Sequence, residues 1–155
     1  MRRIRLIILL FSIGCSLPVK TSGKVDCEAQ FSKKAFKTLA DKERVENELP
    51  AFESDSFLDT QAKNWANYNS NQKAVMHRDQ LNRGPIDRLK VAGSTKRLVS
   101  ENITIFTADM AENDVLRLWK GKQEQENLLN PFYKNFGSGL ASFKDGCVFV
   151  VILTE

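Results

Sequence analysis

The chain contains a single histidine, His77. One imidazole becomes a general base or a metal ligand only where other groups converge on it; otherwise it is a surface or structural side chain. The acid with a reason to meet it is Glu101. This glutamate precedes Ile103-Thr104-Ile105-Phe106, a β-branched and aromatic run that reads as a strand entering a core. An unpaired carboxylate there is costly. Pairing with His77 offsets the cost, so the two residues read as an ion pair closing a cleft. Nucleophilic catalysis has less support, because no serine or cysteine lies in a recognisable elbow. Gly84, Gly93, Gly137 and Gly139 do not form a phosphate-cradling loop; they suit a helix start, a helix end and the start of a strand. Asn102-Ile103-Thr104 is a glycosylation sequon, and its place at the head of a strand predicts that it stays unmodified.

Side chains of this kind need a compartment and a scaffold. The 155 residues suit one domain. Arg2, Arg3 and Arg5 precede an apolar run from Leu6 to Phe11 that fades by Val19, with small residues at Ser12, Gly14 and Ser16. A membrane span needs ~20 apolar residues. The shorter run predicts a cleaved signal peptide over 1–19, hence a secreted protein with no transmembrane span; a buried strand or an anchor is the alternative. The formal charge is +4, and with three arginines and no acids in the leader the remainder carries about +1. That balance excludes an electrostatic footprint for nucleic acid. Cys15 lies in the leader, where Ser12-Ile13-Gly14-Cys15 loosely fits a lipoprotein pattern with an unsuitable serine. Cys27 and Cys147 remain, and an oxidising compartment allows them one intramolecular pairing. Proximity of the two is not readable from the sequence.

Residues 20–30 read as an N-terminal arm, and the domain as 31–155. Phe31, Ala35, Leu39 and Ala40 recur at helical spacing, ending before Leu49-Pro50. Ser54 or Asp55 can cap a second helix with the stripe Leu58, Ala62, Trp65 and Ala66. The amide-rich run 67–72 predicts that this helix soon ends. Pro85 starts a short helix that Gly93 ends. Thr107 can cap another, with Ala111, Val115, Leu118 and Trp119 on one face. Last comes a hairpin, residues 139–143 and 147–153, around Lys144-Asp145-Gly146. Its final strand is apolar at every position, as in a strand covered on both faces. The expected fold is α+β: a three-layer α-β-α sandwich with a mostly antiparallel sheet.

Several local patterns, in order, resemble the CAP (SCP-domain) superfamily of cysteine-rich secretory, antigen 5 and pathogenesis-related proteins, and within it the bacterial-type secreted branch. Leu39-Ala40-Asp41-Lys42-Glu43-Arg44, then Leu49-Pro50-Ala51-Phe52, resembles the family's opening helix and its "LPxL" link. His77 followed by Pro85-Ile86-Asp87-Arg88-Leu89-Lys90-Val91-Ala92-Gly93 is similar to the family histidine and "PFDRLKxAG". Ser100-Glu101-Asn102-Ile103 is similar to "GENI". Trp119, Asn127-Leu128-Leu129-Asn130-Pro131 and Gly137-Ser138-Gly139 are similar to "W…NILNP…GVG". The likeness runs from about residue 38 to the C-terminus. It departs at the cleft: Glu124 stands where the family has a second histidine, in a segment one residue shorter. Lys122 stands where many members have an acid, and Ser100 replaces a glycine.

The resemblance implies cleft or ligand-binding candidates His77, Glu101 and Glu124. One imidazole with two carboxylates is a weak zinc set beside the usual three good ligands. The expectation is therefore no catalytic residue and no cofactor, with a divalent metal as the minor case. The leading function is extracellular recognition of a protein or lipid partner. The alternatives are a metal-assisted hydrolase or protease using the His77/Glu101 cleft, and a degenerate scaffold whose cleft is silent.

Overall fold

The computed structural model describes residues 25–143 and 146–155. The signal peptide over 1–19, Cys15, the first residues of the arm, and Lys144 and Asp145 of the hairpin turn lie outside the described residues.

Among the described residues there are six helices and one four-stranded sheet. The helices are α1 (Cys27–Gln30), α2 (Lys33–Glu46), α3 (Ser56–Gln72), α4 (Pro85–Val91), α5 (Glu112–Trp119) and α6 (Gln123–Leu128). The strands are β1 (Glu53–Ser54), β2 (Val99–Thr107), β3 (Asn135–Phe143) and β4 (Gly146–Thr154), in the order β1-β3-β4-β2. β4 pairs antiparallel with both neighbours. The short β1 runs parallel to β3, so the sheet is mixed at one edge.

All nine residues of β4 are buried, and side chains alternate faces along a strand. Phe149, Val151 and Leu153 enter one core with Phe36 and Ala40 of α2, Val115 and Trp119 of α5, and Leu128 of α6. Val148, Val150 and Ile152 enter the other with Leu58, Ala62, Trp65 and Ala66 of α3 and Leu89 of α4. Two cores on one sheet are the three-layer α-β-α sandwich. On the second face α3 lies almost on the backbone of β3. A Cβ at Gly139 would overlap the Ala62–Lys63 backbone, and one at Gly137 would overlap Leu58. These glycines therefore set the distance between layers rather than merely opening a strand.

Several local expectations change. Phe31 lies outside α2, which begins after Ser32, whose Oγ accepts from Ala35 N at 3.1 Å. The buried stripe is accordingly Phe36, Ala40 and Arg44, and Ala35 is exposed. The amide-rich run does not end α3, which continues to Gln72. Its polar groups find partners: buried Asn69 donates to Trp65 O at 3.0 Å and accepts from Met76 N at 2.6 Å. Ser70 Oγ donates to Ser142 O. Thr107 ends β2 and caps nothing. Ala111 precedes α5, with Asp114 accepting from its N–H at 3.0 Å, and Leu118 points outward. Asp55, by contrast, caps α3 by accepting from Phe57 N at 2.9 Å.

Arg44 is fully buried in this frame. Its guanidinium donates to the carbonyls of Pro50 (2.8 Å), Leu128 (2.6 Å), Asn130 (3.2 Å) and Tyr133 (3.0 Å) and lies 4.0 Å from the Phe52 ring centroid. Cys27 and Cys147 form a disulfide with Cα atoms 5.8 Å apart, fastening α1 to the start of β4.

Candidate functional site

Glu101 is the third residue of β2 and lies opposite Ile152. Its side chain is 1% exposed. Oε1 lies 3.0 Å from His77 Nδ1, and Oε2 accepts from Arg88 Nη2. A carboxylate accepts, so Nδ1 carries the proton of this contact. Nε2 has no hydrogen-bond partner among the described residues, and the ring is half exposed.

Two helices hold the pair against β2. α4 supplies Arg88, whose Nη1 also donates to His77 O at 2.8 Å and Arg83 O at 3.3 Å. α3 supplies Trp65, whose Nε1 donates to Met76 O at 3.0 Å, and Asn69, which binds Met76 N. The residue before His77 is thus fixed at both its N–H and its carbonyl. The Arg88 guanidinium stacks on Trp65 at 3.5 Å, and Tyr68 stacks on Trp65 at 4.5 Å with planes 8° apart. Burial raises the Glu101 carboxyl above its ordinary value, while the His77 hydrogen bond and the Arg88 charge pull it back. Burial likewise lowers Arg88, opposed by the Glu101 charge.

The structure brings His77 and Glu101 together but leaves Glu124 aside. Glu124 lies in the first turn of α6 and meets the strand only through its carbonyl, which accepts from Asn102 Nδ2 at 2.8 Å. Asn127 Nδ2 donates to Asn102 Oδ1 at 2.7 Å. A buried asparagine thus docks the backbone of α6 on β2, and the Glu124 carboxylate joins neither His77 nor Glu101 among the described residues. The same bonds and 1% exposure close the Asn102 sequon to modification. Cys147 pairs with Phe106, at the far end of β2 from Glu101. Among the described residues no three His, Cys, Asp or Glu side chains come together to hold a metal ion.

Sequence reading placed Arg88 only in a motif and missed that it is the second partner of Glu101. The available signal was charge: a carboxylate entering a core needs a cation, and Arg88 lies on a short helix just upstream. Arg88 also lines a cavity of about 530 Å³ between α3, α4 and residues 79–83. Chemically, the site is a neutralised carboxylate with one imidazole nitrogen free.

The architecture is that of an SCP, or CAP, domain. No protein-family model and no curated protein matches the sequence. Solved structures do match in fold. An outer surface protein of Borrelia burgdorferi superposes with TM-score 0.73 at 19% identity, over 87% of this chain and 98% of its own. An extracellular protein containing an SCP domain from Bacillus anthracis gives 0.62 at 20%, over 77% of this chain and 39% of its own. A cysteine-rich secretory protein of Staphylococcus aureus gives 0.59 at 15%, over 79% and 37%. The chain thus spans under half of the latter two and nearly all of the Borrelia protein. No helix among the described residues is long and apolar enough to cross a membrane.

Proposed function

We propose that this protein is secreted, after loss of a leader ending near residue 19, and acts outside the cell by recognising a protein or lipid partner without catalysis. The observation that carries this reading is the occupancy of Glu101. Both carboxylate oxygens are taken by fixed protein donors, His77 Nδ1 and Arg88 Nη2. A polarising ion would have to displace Arg88 from a buried pair. A base acting through His77 Nε2 would need a reacting group beside it. The outer-surface and extracellular descriptions of the structural neighbours support the compartment.

Zinc calorimetry on the purified protein, with His77→Ala as control, tests the non-catalytic part, and the expected result is no specific binding. Micromolar binding lost in the variant would put the metal-hydrolase reading first. N-terminal sequencing of protein from the medium tests secretion: the expected start lies about residues 15–24, and a soluble intracellular chain starting at Met1 overturns it.

A further inference from the structure

We propose that the cavity between α3, α4 and residues 79–83 binds a neutral, mostly apolar small molecule bearing hydroxyl or amide groups. Its volume, about 530 Å³, falls in the range of small-molecule sites. Leu81 and Val91, 72% and 69% exposed, flank it, and Leu89 lies within. Large exposed aliphatic side chains around a concavity leave apolar surface in water that a ligand would cover.

The charges of the lining set the ligand's charge. Arg83 pairs with Asp79 at 2.7 Å, and Arg88 pairs with Glu101. Each charged side chain of the lining therefore has its opposite, and an ionic ligand would have to break a pair. Stacking of a sugar is disfavoured as well. Arg88 and Tyr68 lie so close to the Trp65 centroid that they would overlap on one face. They must sandwich the ring, which has no free face.

Polar groups are nevertheless present. The amides of Gln61, Asn64 and Gln80 line the cavity and have no hydrogen-bond partner among the described residues. The Tyr68 hydroxyl is buried with none either. Tyr68 belongs to the lining, so a ligand oxygen within reach of that hydroxyl would supply the partner it lacks. The assignment deepens the recognition reading by giving it a ligand class, and the two fail separately. Zinc-dependent turnover would remove the recognition reading and leave the cavity as a site; lost probe binding would do the reverse.

The test is fluorescence titration of the purified protein with N-phenylnaphthylamine, a neutral apolar probe, followed by competition with monolaurin and with laurate. Saturable binding at one site is expected. Leu81→Glu and Val91→Glu should weaken it about tenfold or more. Phe132→Glu, at an exposed phenylalanine outside the cavity, should leave it within about twofold. Monolaurin should displace the probe and laurate should do so far less well. Tyr68→Phe should weaken monolaurin and spare the probe. Absent or non-saturable binding, or equal loss in Phe132→Glu, overturns the site. Laurate competing as well as monolaurin overturns the neutral class. An unchanged monolaurin affinity in Tyr68→Phe overturns the role of its hydroxyl.

Discussion

Glu101 couples burial to two unlike donors, an imidazole and a guanidinium. Glu101→Ala would leave the Arg88 guanidinium buried against Trp65 without its carboxylate, a loss of about 3–5 kcal/mol for a broken buried pair. Glu101→Gln keeps an acceptor and the shape, so it should cost less. Urea denaturation of the two variants checks the order, and equal wild-type stability in both would show that the pair contributes nothing. The pH dependence has a definite sign. Burial raises this carboxyl above its ordinary value of 4.5, so the folded protein binds the proton more tightly than the unfolded chain. Its contribution to stability is full below that ordinary value and is lost as pH rises through the folded one. Relative to Glu101→Gln, the wild type should therefore lose ground as pH rises from that ordinary value through the higher folded one. A difference that grows in favour of the wild type over that range would contradict the burial argument. Tyr68→Phe is the opposite kind of change. It removes a buried hydroxyl that has no partner, and such a group costs about 1–3 kcal/mol. The variant should be as stable as the wild type or more so, and a marked fall in Tm would reveal a missed partner.

Between elements, contact is set by what is absent at Gly139 and by what is present at Arg44. Gly139→Ala forces a methyl into the backbone of α3. The cost should reach or exceed the upper part of the ~1–3 kcal/mol range for overpacking, because a helix backbone yields less than a side chain. Gly93→Ala, at a helix end with open space around it, is the comparison, although its φ of 96° carries a smaller strain of its own. Thermal denaturation of both should rank Gly139 as the more damaging site. Arg44 joins α2 to the link before β1 and to the segment leading into β3 through four carbonyls. Arg44→Met preserves the apolar stem and orphans those acceptors, so a loss of at least ~3 kcal/mol is expected. A value near zero would mean that water replaces the guanidinium.

Over the whole molecule, the disulfide spans a sequence separation of 120. In the chain-entropy account a loop of that length stabilises by on the order of 4–5 kcal/mol. The Cys27→Ala/Cys147→Ala protein should lose stability of that order while keeping its far-ultraviolet circular dichroism. A loss below about 1 kcal/mol would show that the buried ends of α1 and β4 hold together without the bond. The three layers share one strand, β4, so damage on either face should be felt on both, and unfolding should follow a single cooperative transition.

The α-β-α layering was legible in the sequence because β4 is apolar at consecutive positions, which only a doubly covered strand tolerates, and because the stripe Leu58, Ala62, Trp65 and Ala66 of α3 repeats at helical spacing; of the stripe expected on α5 only Val115 and Trp119 are buried. Asp55, Pro85 and Gly93 marked helix ends through local chemistry that needs no distant partner. Glu101 was legible as a carboxylate in need of a cation, and His77 as one candidate. Tertiary structure alone decided that Arg88 takes the other oxygen, since the choice among many lysines and arginines depends on how α4 packs over β2. It also decided the end of α3. Asn69 is a poor helix residue by local propensity, yet its amide donates back to Trp65 O one turn earlier and accepts from Met76 N beyond the helix, and the helix continues. The resemblance pointed to Glu124 as a cleft candidate, and the contact that the fold shows there is through its backbone, the carbonyl accepting from Asn102 Nδ2. Proximity of Cys27 to Cys147, parallel pairing of β1, and the cavity beside Arg88 depend on long-range packing that no local spacing encodes.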